Sequence, residues 1–79
     1  MTVKVRYFAV LRDRAGRGEE EIVTECFTGR ELVDELIELR QLGLPSPLIR
    51  IAINGAFADD ATRLQEGDEV VLLPPVAGG

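Results

Sequence analysis

The 79-residue sequence has no histidine and no tryptophan, and its only cysteine is Cys26. Ser46, Lys4 and Tyr7 are each the sole residue of their type. Without an imidazole, neither a Ser-His-Asp nor a Cys-His arrangement can be built. One thiol cannot supply the four Cys and His ligands of a tetrahedral zinc site, and it has no partner for a disulfide. No metal site is expected. No apolar run approaches the ~20 residues that span a bilayer, so no membrane partner is expected. In the opening stretch charges sit inside and after the apolar residues, which is not the order of a secretory signal. A cytoplasmic location with a reduced Cys26 follows as the expectation. These absences leave the side chains poorly equipped to carry a reaction.

What is present is ordinary for one small globular domain: 46% hydrophobic and 29% charged residues. The net charge is −5, which argues against a nucleic-acid partner, since a phosphate-backbone binder needs a basic footprint. The charge is uneven. Residues 1–18 carry a balance of +4 through Lys4, Arg6, Arg12, Arg14 and Arg17, and residues 19–39 a balance of −7. Such runs read as solvated faces; the sharper alternative is an acidic face that steers a basic partner.

Val3, Val5, Tyr7, Ala9 and Leu11 alternate with a second set of residues, a period of two that predicts a central first strand. Arg12 to Gly18 reads as a polar turn, and Glu20 to Phe27 as a second strand pairing back antiparallel. Thr28 and Glu31 have capping-box spacing. Leu32, Val33, Leu36, Ile37 and Leu39 then recur at helical spacing, with Gly43 expected just past the helix end. Leu48 to Asn54 reads as a third strand, Asn54-Gly55 as a type I′ turn and Ala56 to Ala58 as a short return strand. Glu69 to Leu73 is expected to be a final, mostly buried strand, ended by Pro74 and Pro75. The order predicts an α+β fold with one main helix on one face of a mixed sheet.

Three stretches carry a family resemblance: Tyr7-Phe8-Ala9-Val10-Leu11-Arg12 with Gly16; Ala52-Ile53-Asn54-Gly55; and Leu64 through Gly79, ending Pro-Pro-Val-Ala-Gly-Gly. Together they resemble the ubiquitin-like sulfur carriers of β-grasp fold, and within them the molybdopterin synthase branch rather than the thiamine branch. The likeness spans the whole length, by pattern more than by residue between Glu19 and Pro47. It implies a β-grasp domain over 1–75 and a flexible tail over 76–79. A ferredoxin-type β-grasp protein is excluded, because its cluster needs four cysteines.

The tail suits such a role physically. Pro74 and Pro75 stiffen the exit from the sheet, and glycines without Cβ fit a narrow tunnel. The resemblance implies that the α-carboxylate of Gly79 is the reactive group. A ubiquitin-activating-like adenylyltransferase would adenylate it with ATP, and a sulfur donor protein would convert it to a thiocarboxylate. That group would enter the large subunit of molybdopterin synthase and give its sulfur to a cyclic pyranopterin. The carrier itself would bind no cofactor and would not be an enzyme. Gly78, Ala77, Val76, Pro75, Pro74 and Leu73 would contact the partner, with Phe8, Arg12 and Phe57. For Phe8 and Phe57 the economical reading is core; the alternative is an exposed docking patch with Leu73. Arg12 reads as loop or as partner contact, and Cys26 as a small buried hydrophobe. Alternatives to this function are a carrier for thiamine thiazole or cysteine synthesis, and a ubiquitin-like protein modifier.

Overall fold

The computed structural model describes residues 1–76. The chain runs β1 (Thr2–Tyr7), α1 (Val10–Ala15), β2 (Glu19–Val23), α2 (Gly29–Leu39), a 3₁₀ turn (Ser46–Leu48), β3 (Arg50–Ile53), β4 (Ala56–Phe57) and β5 (Glu69–Leu73). The five strands form one sheet in the order β2-β1-β5-β3-β4. The β1–β2 hairpin is antiparallel, as expected, with Val3 opposite Ile22. β5 lies at the centre, parallel to β1 and antiparallel to β3.

Period-two alternation sorts the strands' side chains onto two faces. Val3, Val5, Tyr7, Ile22, Ile51, Val70 and Leu72 point to one face and are buried. They pack with Leu32, Val33 and Leu36 of α2 and with Leu11 and Leu42 in one core cluster. The helix begins as the spacing predicts: Thr28 Oγ1 accepts the Glu31 N–H at 3.2 Å. Gly29 packs close to the sheet, where an added Cβ would lie 3.3 Å from Ile51.

The departures from expectation have local causes. β1 ends at Tyr7 instead of Leu11, and Leu11 is buried from a short helix, α1, that replaces the expected polar turn. Leu11 and Ala15 are four apart, one helical turn, so α1 buries both while Arg12, Asp13 and Arg14 between them stay exposed; in a strand Asp13 would share their buried face. β2 stops at Val23, and beyond it the Phe27 carbonyl accepts from Leu64 N–H at 2.8 Å instead of a β1 partner. Leu39 is exposed, and the helix terminates on Gln41, at φ 53°, before Gly43 is reached. There Leu42 N–H donates to the Ile37 carbonyl at 3.1 Å, a Schellman closure that turns Leu42 into the core. Leu48 belongs to the 3₁₀ turn, not to β3, and is exposed.

Asn54 and Gly55 both take positive φ, as a type I′ turn requires. Asn54 also does more than turn the chain. Its amide donates to Asp68 Oδ1 at 2.9 Å, and its Oδ1 accepts the Glu69 N–H at 2.9 Å. The buried Asp68 accepts the Gln65 N–H at 2.8 Å. This stitches the β3–β4 turn to the start of β5 and holds the register of the strand that leads to the tail.

Candidate functional site

The end of β5 is where the tail leaves the sheet. Leu72 is opposite Tyr7 across the parallel ladder and Leu73 is opposite Arg50 across the antiparallel one. The tail therefore emerges between the end of β1 and the start of β3. Proline has no N–H for the ladder, so pairing stops at Pro74. Pro74 is half-buried, Pro75 exposed and Val76 87% exposed. The expected partner contacts Ala77 and Gly78, and Gly79 with its expected reactive carboxylate, lie outside the described residues.

Phe8 and Phe57 are not in the core. They are 41% and 64% exposed, which overturns the economical reading of both. The sheet explains why. Phe8 follows the buried Tyr7 and falls on the opposite parity; Phe57 is opposite Ala52, itself opposite Val71, on the face away from α2. That face thus carries Phe8, Phe57, Ala52, Val71 and Leu73 around the tail exit. The last three are half-buried. Arg6 and Arg50 share the face by the same parity, a placement that the alternation of β1 and β3 contains but that was not singled out from the sequence.

Beside Phe8, a cavity of about 310 Å³ opens between Arg6, Ala9, Arg12, Gly18 and Glu19. Arg12 is exposed on α1 and its guanidine lies over Gly18, where a Cβ would sit 3.4 Å from Arg12 Nε. Ala9 has φ 52° and ψ −130°, and Leu11 N–H donates to the Phe8 carbonyl at 3.1 Å. This is a tight turn with alanine in a region that favours glycine, and it throws Phe8 outward.

Behind the cavity the base of β1 is locked by a polar cluster. Tyr7 OH donates to Glu20 Oε2 at 2.6 Å, Arg40 Nε donates to the same oxygen at 2.9 Å, and Arg40 Nη2 and Arg17 Nη1 reach Oε1. Burial would raise the Glu20 carboxyl, but the hydrogen bonds from Arg40 and Tyr7 and the charges of Arg40 and Arg17 outweigh it, and its pKa lies below the usual value. The Tyr7 phenol is pushed up, first by burial and then by Glu20. Cys26 is half-buried against the core, and its thiol donates to Glu35 Oε2 at 3.1 Å. Burial, with Glu35 beside it, raises its pKa, so the sulfur is held as a thiol and is a weak nucleophile.

Among the described residues no group of His, Cys, Asp and Glu is arranged to hold a metal, and no helix is long and apolar enough to cross a membrane. The site is therefore an apolar, arginine-flanked sheet face at the root of a glycine-ended tail.

This architecture is a ubiquitin-like β-grasp fold: a ubiquitin from Caldiarchaeum subterraneum superposes with a TM-score of 0.67 at 20% identity, over 100% of this chain and 98% of that one. The chain belongs to the ThiS family, whose sequence model matches residues 5–79. It is 33% identical to the molybdopterin synthase sulfur carrier subunit of Drosophila melanogaster, over 100% of this chain and 92% of that protein. Two solved structures are similar at higher identity than the ubiquitin. One is the complex of subunits 1 and 2 of the molybdopterin-converting factor of Helicobacter pylori, at 32% identity and a TM-score of 0.70, with 100% of each chain covered. The other is the small archaeal modifier protein 1 of Methanosarcina acetivorans, at 28% identity and a TM-score of 0.79, covering 99% of this chain and 96% of that one.

Proposed function

We infer that this sulfur-carrier-family chain delivers sulfur for molybdenum cofactor synthesis through the α-carboxylate of Gly79. The observation that carries the reading is the junction at the end of β5. A central strand, registered by two neighbours and by the Asn54–Asp68 stitch, runs into Pro74-Pro75 and on to Val-Ala-Gly-Gly. The family and the Drosophila relative support the same reading.

A carboxylate is a poor electrophile. An adenylyltransferase of ubiquitin-activating type would first transfer AMP from ATP to Gly79, releasing pyrophosphate. A sulfur donor protein would then displace AMP and leave a C-terminal thiocarboxylate. That group is a nucleophile that needs no His, Cys or Ser of the carrier, and this chain offers only one thiol, held protonated beside Glu35. The receiving protein would be the large subunit of molybdopterin synthase, which would supply the acids and bases for transfer to the pyranopterin. The carrier would be a non-catalytic subunit that binds no cofactor of its own. In support, the Helicobacter pylori relative is found in complex with its subunit 2. Phe8, Phe57, Leu73 and Arg12 would line the docking face, and Pro74, Pro75, Val76, Ala77 and Gly78 the tail path.

The test is intact-mass spectrometry after incubation with the activating enzyme, ATP and a sulfur donor. A gain of about 16 Da, one oxygen replaced by sulfur, confined to the C-terminal peptide is expected. An unchanged mass rejects the reading. A second reading, protein modification through Gly79, is favoured by the likeness to the archaeal modifier. It would replace AMP by a lysine amine, and would appear as a ladder of heavier conjugates in cell extracts.

A further inference from the structure

The tail exit is bracketed by two arginine–phenylalanine pairs. Arg6 Cζ lies 5.6 Å from the centre of the Phe8 ring, and Arg50 Cζ lies 4.0 Å from the centre of the Phe57 ring. Both pairs stand on the face away from α2. Arg6 is opposite Val71, Val71 opposite Ala52, Ala52 opposite Phe57, and Arg50 opposite Leu73. Between the two pairs run Val71 and Leu73 and then the proline exit.

These guanidiniums are weakly countered. The carboxylate nearest Arg6 is Glu19 at 3.9 Å, and it also serves Lys4 at 3.3 Å. Among the described residues Arg12 and Arg50 make no ion pair. The remaining acids of this face, Glu21 and Glu69, stand level with Lys4, four residues along β5 from the exit at Leu73. Half of the acid-rich segment's eight carboxylates, Glu31, Asp34, Glu35 and Glu38, stand on α2, on the other side of the sheet. In a chain of net charge −5, unneutralised positive charge thus gathers where the tail leaves.

A surface that covers this face has three options. An apolar one would bury guanidiniums without partners, which is strongly unfavourable. A basic one would repel them. Carboxylates match them, because an arginine laid on a ring keeps its planar fork free for bidentate hydrogen bonds. The cavity beside Phe8 has room for such a side chain between Arg6 and Arg12.

We propose that the protein receiving the tail meets this face with an apolar centre and two sets of Asp or Glu carboxylates, one over Arg6 and Arg12 and one over Arg50, on opposite sides of the tail's path. The inference rests on the carrier reading for the identity of that protein. It is tested by calorimetric titration of the purified full chain into the large subunit of molybdopterin synthase from the same organism. Arg6→Glu and Arg50→Glu are each expected to weaken Kd about tenfold or more, since like charges placed face to face disfavour docking. Arg63→Glu makes the same change in net charge away from the face, beside Phe27, and is expected to stay within about twofold of wild type. Circular dichroism melts verify that the exposed substitutions leave the fold intact. If wild type binds and both reversals match Arg63→Glu, the acidic brackets are overturned while the carrier reading stands. If wild type does not bind, both fall. Binding of ATP alone to the isolated chain, lost in Arg6→Glu and Arg50→Glu, would make the arginines a nucleotide site and also overturn the inference.

Discussion

Ala9 shows how one residue shapes the sheet face at the tail exit. Its φ of 52° with ψ of −130° costs an L-residue about 1–3 kcal/mol, and glycine tolerates it. Ala9→Gly relieves that strain but adds freedom to the unfolded chain, which returns about 0.5–1 kcal/mol. A net gain near 1 kcal/mol, seen as roughly 4–8 °C in Tm by calorimetry, is expected; a lower Tm would refute the strain. Glu20 makes the second residue-scale case. Its folded pKa lies below the ordinary 4.5, so its stabilisation is complete above that value and is lost as pH falls through the folded one. Glu20→Gln removes the charge that Arg40 and Arg17 share and is expected to cost about 1–2 kcal/mol at pH 7, since both arginines keep access to water. In melts from pH 7 downward, the gap between wild type and variant should stay open to the ordinary 4.5 and narrow below it. A constant gap would contradict the assignment.

At the scale of elements, α2 and the β3–β4 turn were the most legible parts of the sequence. Thr28 and Glu31 at three-residue spacing, and Asn54-Gly55, specify local geometry through bonds within a few residues. Thr28→Ala removes the cap and is expected to lower stability by about 1 kcal/mol in urea unfolding, with an unchanged m-value. The end of α2 was misplaced because two left-handed residues were available, Gln41 and Gly43, and burial of Leu42 selects the first. The reach of β1 was misjudged for a related reason. Val10 and Leu11 satisfy both a strand and a helix pattern, and the choice depends on what faces them. The Tyr7–Glu20–Arg40 lock gave no local signal at all, since its members are 13 and 20 residues apart.

For the whole molecule, the strongest feature is the division of labour between the faces of the sheet. One face holds the core with α2, and the other holds Phe8, Phe57, Leu73 and the arginines at the tail's root. Among the described residues every member of the core cluster lies before Leu73. Removal of residues 77–79 is therefore expected to leave Tm within about 1–2 °C of the full chain, since it deletes none of these core residues. The same truncation is expected to abolish sulfur transfer to the large subunit. A large drop in Tm would place the tail among the stabilising elements, and retained transfer would remove Gly79 from the reaction.

The sequence by itself determined the run of strands and the main helix, because these rest on periodicity, capping and turn chemistry that act over a few residues, and its motifs carried the β-grasp resemblance; it did not determine α1. It also determined that the side chains carry little reactive chemistry, since residue types are present or absent whatever the fold. Only the tertiary structure decided that Phe8 and Phe57 face outward and that Arg6 and Arg50 stand on either side of the exit. Those placements depend on which strands become neighbours, and strands 1 and 5 are brought together across some 60 residues of chain. An apolar residue in isolation reads as core; pairing decides which face of the sheet it joins.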